Sequence, residues 1–218
     1  MSIWRWFIAG SCALVLSSIL VGCSSSSFVG GQVDNFRAYY NTFYNAEQDF
    51  ESGLESVHER SRALEDDRFV SIFPDPDDQV NRDAFERAIE RGADVLREHP
   101  ESKWVDDALM LIGQSYFYLG NWGAAAEKFE EIIDFTEERT AEAQFWLART
   151  IMSQGDMQEA AEQVRTGVEQ ETLDDPWRSK LWLVRAELYT RRGVWHEALT
   201  ALDNALQGDL PRSEAARA

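Results

Sequence analysis

The sequence predicts an all-α fold, a solenoid of antiparallel helix pairs, and three observations predict it. Apolar residues recur at spacings of three and four along most of the chain, the period of helices buried on one side. No stretch alternates apolar and polar residues in the manner of a half-buried strand. Three segments align with one another on the glycines Gly120, Gly155 and Gly193, which stand 35 and 38 residues apart.

The chain opens on a leader. A short start carrying Arg5 leads into an apolar run from Phe7 to Val21, and Leu20, Val21, Gly22 and Cys23 read as a lipobox. The run is about 15 residues, shorter than the roughly 20 that a helix needs to cross a bilayer, so a cleaved signal over residues 1–22 is expected rather than a permanent span. Cys12 leaves with the leader. Cys23 is then the only cysteine of the mature chain and has no disulfide partner. Lipidation gives it a role, because two or three acyl chains, at about 0.8 kcal/mol per buried methylene, hold a protein on a membrane durably. Ser24 to Gln32, rich in Ser and Gly, forms a tether (residues 23–32 with the lipidated cysteine), and residues 33–218 form the folded part.

Charge narrows the partners. The formal net charge is −18, and loss of the leader removes Arg5 and no acidic residue, making the mature chain one unit more negative. A nucleic-acid ligand is excluded on charge, and direct binding to anionic lipid is disfavoured. Only three lysines are present, Lys103, Lys128 and Lys180. Scarce lysine with high acidity fits a protein working at high salt, and equally an ordinary acidic periplasmic protein.

From Val33, Phe36 and Tyr40 through Phe43, Phe50, Leu54, Val57 and Leu64 the pattern predicts one long helix. Residues 65–80 break it with clustered acids, a small apolar knot (Phe69, Val70, Ile72, Phe73) and the prolines Pro74 and Pro76, so an acidic loop is expected. The next helix is expected to open near Asp83, with Glu86 completing a capping box, and to run to His99 before Pro100. These two helices make a divergent first pair over residues 33–99. Three repeats follow at 106–139, 141–174 and 179–212, giving about eight helices in all. Asn121 and Asp156 are expected to cap second helices, and Asp175 with Pro176 to open the last pair. A single pair cannot bury its own apolar face. Small residues such as Gly113, Ala125, Ala148, Ala160, Ala186 and Ala198 let neighbouring helices approach, with Gly113 expected opposite Ala125, while Tyr116, Phe129, Tyr189 and Leu202 fill the space between.

The spacing and the filled positions resemble the tetratricopeptide repeat, whose period is 34, and the resemblance implies a right-handed superhelical solenoid. The stretch from His99 to Ile133, HPESKWVDDALMLIGQSYFYLGNWGAAAEKFEEII, resembles the first full repeat of the BamD-like outer-membrane assembly lipoproteins. The stretch from Ala38 to Gly53, AYYNTFYNAEQDFESG, is similar to the N-terminal helix of the SprE and PorW lipoproteins of gliding and type IX secretion. The first resemblance implies a non-enzymatic scaffold on the periplasmic face of the outer membrane. Its partners would be a β-barrel assembly subunit or a barrel precursor. The second implies a secretion-machine subunit instead, and an accessory recruiting cell-wall enzymes is a further alternative. No nucleic acid and no small-molecule substrate is expected.

Tetratricopeptide solenoids hold partners on the concave side lined by first helices. Carried over by position, that side would comprise Met110, Gln114, Phe117 and Tyr118, then Phe145, Arg149 and Met152, then Leu183, Glu187 and Arg191. Aromatic and arginine side chains dominate binding energies at interfaces, so a partner with apolar side chains and a carboxylate suits such a face. No catalytic, cofactor or metal site is expected. Asp75, Asp77, Gln79, Asn81, Asp83 and Glu86 have the spacing of a calcium loop, but Val80 stands where the turn requires glycine. His58, His99 and His196 are scattered and offer no zinc set.

Overall fold

Eight helices of 12 to 21 residues follow one another, with no strand among the described residues. The computed structural model describes residues 42–64, 72, 73, 76, 79–136, 138–169 and 175–215. The leader, Cys23, the tether and the start of the first predicted helix lie outside the described residues, as do Asp75 and Asp77. The helices are α1 (Tyr44–Leu64), α2 (Arg82–Glu98), α3 (Val105–Tyr118), α4 (Trp122–Phe135), α5 (Thr140–Gln154), α6 (Met157–Glu169), α7 (Asp175–Arg191) and α8 (Trp195–Leu206). A single turn, α9 (Arg212–Ala215), comes after them.

The turns fall where the glycines stand. Gly120, Gly155 and Gly193 have φ of 73°, 93° and 72°, the left-handed conformation that ends a helix at low steric cost only for a residue without Cβ. Caps follow at once. The Asn121 carboxamide oxygen accepts from the Ala124 amide at 3.4 Å, and the Asp156 carboxylate accepts from Glu159 at 3.0 Å. In the first pair the expected cap is displaced by two residues: Asn81, not Asp83, accepts from the Ala84 amide at 3.2 Å, and Asp83 sits in the first turn. Ser56 on α1 settles this register, because its hydroxyl accepts the Asn81 amide at 2.9 Å and holds the chain before the helix begins.

Each helix packs on the next in sequence, and the first helices α1, α3, α5 and α7 also touch one another across the pairs. The second helices α2, α4, α6 and α8 have no comparable contact among themselves. The first-helix layer is therefore the inner, shorter-radius side of the stack. Small residues set the close approaches. A Cβ on Gly113 would lie 2.7 Å from the Phe129 ring, so the partner of Gly113 is Phe129, one turn beyond the expected Ala125. Gly53 receives the Phe85 ring in the same way. The divergent first pair is thus built as a repeat, with a long loop where the others have a short turn.

Rings then tie the pairs together. Phe50 meets Phe85 edge-on at 5.9 Å, Phe85 stacks on Tyr118 at 5.3 Å, and Tyr118 and Phe117 both meet Trp146, at 5.9 and 5.3 Å. Trp146 continues to Phe145 at 5.5 Å and Phe145 to Trp177 at 5.7 Å. A continuous line of aromatic contacts so runs from α1 to α7.

Candidate partner-binding face

Arg149 is the centre of the inner face. It stands on α5, is 3% exposed, and its guanidinium carbon lies 4.7 Å from each of the Phe73, Phe117 and Trp146 rings and 5.6 Å from Phe145. Its charge is held by ring faces. Tyr118 adds a polar contact: burial pushes its phenol pKa up, and the Arg149 charge and hydrogen bond oppose that shift without cancelling it.

A polar clasp closes one end of this face. Arg139, at the start of α5, bonds Asp107 of α3 and pairs with Glu142 at 2.5 Å, and the Gln114 amide donates to Glu142 at 3.3 Å. Burial is the first cause that raises the Asp107 carboxyl pKa. The Arg139 charge pulls it down, but Asp106, Glu142 and Glu138 push the same way as burial, and the balance stays upward. At the other end Arg191 of α7, exposed, pairs with the buried Glu187 at 2.6 Å.

Of the ten positions expected to line an open groove, the structure brings the central ones together but covers them. Met110, Phe117, Tyr118, Phe145, Arg149, Met152, Leu183 and Glu187 are buried, Gln114 is half-buried, and only Arg191 is exposed. The cause is steric. Successive first helices touch one another across the pairs, and Phe73 lies over the Arg149 guanidinium and edge-on to Phe145. Sequence reasoning missed Phe73, Trp146, Trp177 and the Asp107–Arg139–Glu142 clasp. The apolar knot inside an acidic loop was the available signal for Phe73, since an apolar side chain there must find a surface elsewhere.

Among the described residues no group of three or more His, Cys, Asp or Glu side chains is placed to hold a metal ion. No described helix is long and apolar enough to cross a membrane.

Residues 110–171, from the middle of α3 to just beyond α6, match the family profile described as tetratricopeptide repeat. No curated protein sequence matches the chain. Among solved structures the crystal structure of MamA is similar at 18% identity, over 58% of this chain and 69% of that one, with a TM-score of 0.46. A second structure, of a MamA point mutant, is similar at 15% identity over 81% and 99%, with a TM-score of 0.41. Repeats of this kind serve in general as scaffolds for binding other proteins rather than as catalysts. The fold is a tetratricopeptide-type solenoid of antiparallel helix pairs, and residues 110–171 carry its matched repeats.

Proposed function

We propose that this chain is a non-enzymatic lipoprotein, anchored through Cys23 on the periplasmic face of the outer membrane. There its solenoid holds a protein partner during envelope assembly, a β-barrel assembly subunit or a barrel precursor. One observation carries the binding part of this reading: the helix pairs match a repeat that serves in general as a scaffold for other proteins, and Gln114 and Arg191 keep the two ends of the first-helix layer reachable. The anchor rests on the lipobox and on the absence of any disulfide partner for Cys23 in the mature sequence.

Two experiments test it. Changing Cys23 to Ala should move the protein out of the membrane fraction, and wild-type protein recovered soluble with no acyl mass at its N-terminus overturns the anchor. Photo-crosslinkers at Gln114 and Arg191, with Glu130 and Asp203 on the outer helices as controls, report the face in intact envelopes. Adducts with a barrel-assembly subunit or a barrel precursor from the first pair alone are expected. Equal adducts from all four positions, or none to such a protein, overturn the binding face.

A further inference from the structure

On α8, Trp195, Leu199, Leu202 and Leu206 recur at spacings of four, three and four and so lie along one line of the helix. The matching lines are Trp122, Ala126, Phe129 and Ile133 on α4, and Met157, Ala161, Val164 and Val168 on α6, and both are packed into the core against the first helix of the following pair. On α8 only Leu202 is drawn in. Trp195, Leu199 and Leu206 are 64%, 62% and 49% exposed, and large apolar side chains aligned on the surface mark a place where something docks. Leu199 stands where α4 and α6 carry alanine, so the stripe is not cut for the close approach that another first helix makes.

Its flanks say what fits instead. With Leu199 and Leu206 at the a positions of a heptad and Trp195 and Leu202 at d, His196 and Asp203 both fall at e on the open edge, while Ala198 and Ala205 fall at g and are buried on the side of α7. In an antiparallel pair of helices, e flanks meet e flanks. A second α8 laid antiparallel sets Trp195 over Leu206 and Leu199 over Leu202 of the other copy, and by the helix rise His196 then stands about 3 Å along the axis from Asp203 of that copy. The two-fold repeats the contact, so one kind of chain supplies two imidazole–carboxylate pairs. A parallel pair would turn this edge towards Ala198 and Ala205, which α7 already covers. Two chains of net charge −18 repel each other in general, but the stripe itself carries no charge, and Glu197 lies on the far side of α8.

We infer that α8 is a self-association surface, on which two copies of this chain pair through antiparallel α8 helices across a two-fold axis. The inference goes beyond the binding face of the first helices and does not depend on it. Each copy contributes one short helix, so the pair is weak and α8 is uncovered in dilute solution.

The test uses two differently tagged full-length copies expressed together, one with the photo-crosslinker p-benzoylphenylalanine in place of Trp195, an aromatic for an aromatic. An adduct joining the two tags, mapped by mass spectrometry to the Leu206 end of α8 in the other copy, is expected, and the same group at the exposed Glu130 on α4 should give none. Leu199→Glu should cut the adduct about tenfold or more. Because Leu199 is exposed, unchanged thermal melting shows that such a loss is not unfolding. His196→Asp, which sets carboxylates against each other, should lower the yield about threefold, and His196→Asp combined with Asp203→His, which restores the pairs, should recover it. Adducts confined to a different protein or to another segment of the same copy overturn the inference, as does the absence of any adduct from a chain that melts cooperatively. A joined adduct indifferent to Leu199→Glu and to the exchange of His196 and Asp203 is chance encounter and overturns it as well.

Discussion

Trp122 and Trp195 hold the same place in their repeats, two residues after a turn glycine, and meet opposite fates. Trp122 at the start of α4 packs edge-on against Phe117 at 5.4 Å, whereas Trp195 at the start of α8 is 64% exposed. The difference extends along the helix. Ala126 and Ile133 on α4, and Met157, Ala161 and Val168 at corresponding places on α6, pack against the core, while Leu199 and Leu206 on α8 are exposed. A second helix is covered on one side by its own first helix and on the other by the first helix of the following pair. On α4 and α6 that following helix is present, as α5 and α7. Identical register thus yields core or surface according to the neighbour, and substitutions at matched positions make the contrast measurable.

The largest effect is expected at Phe129, fully buried between Gly113 and Trp146, where Phe129→Ala should cost about 3 to 5 kcal/mol. Urea unfolding checks it, and a loss below about 1 kcal/mol would mean that α3 and α4 are not packed as described. The same contact probed from the other side gives a smaller cost. Gly113→Leu forces a side chain into the Phe129 ring and should destabilise by about 1 to 3 kcal/mol. On the outer surface, Gly123 has nothing within 4 Å of a would-be Cβ, so Gly123→Ala should leave the melting temperature unchanged or slightly raised.

The inner face also carries a pH signature. Burial, reinforced by neighbouring carboxylates, raises the pKa of Asp107 and of Glu47, the latter through Glu51 and Asp107. A carboxyl with a raised folded pKa binds protons more readily in the folded state, so its ionisation subtracts stability. The cost sets in as pH climbs from the ordinary carboxylate value to the folded one and is complete above it. Acidification from neutral into the upper carboxylate range should therefore raise the melting temperature at low salt, and Asp107→Asn should flatten that rise. An unchanged slope in the variant would remove Asp107 as the source of the effect. The smallest change is expected at the exposed end of the comparison: Trp195→Ala should move stability by no more than about 0.5 kcal/mol, against several for Phe129→Ala. A large loss at Trp195 would show that this face is covered in solution.

Much of this architecture was legible because its signals are local. Turn glycines, Asn121 and Asp156 as caps, and the apolar period of each helix act within a few residues of chain, where torsional preference and hydrogen bonding decide the outcome. Even there a tertiary contact intervened, since the cap of α2 is Asn81 rather than Asp83, and Ser56 on α1 accepts the Asn81 amide. The candidate face was half legible. Position in the repeat located Phe117, Phe145 and Arg149 on first helices, but their periodicity is the same whether a groove stays open or is filled.

By itself, then, the sequence determined the helical repeat, its turns and the acidity of the chain, all of which follow from residue type and short-range spacing. Only the tertiary structure decided that eight of the expected groove residues are buried, that Phe73 reaches α5 from a loop more than seventy positions earlier, and that Trp195 stays in solvent where Trp122 does not. The physical reason is that burial belongs to pairs of elements: a side chain is removed from water by whatever closes over it, and no single segment encodes what that will be.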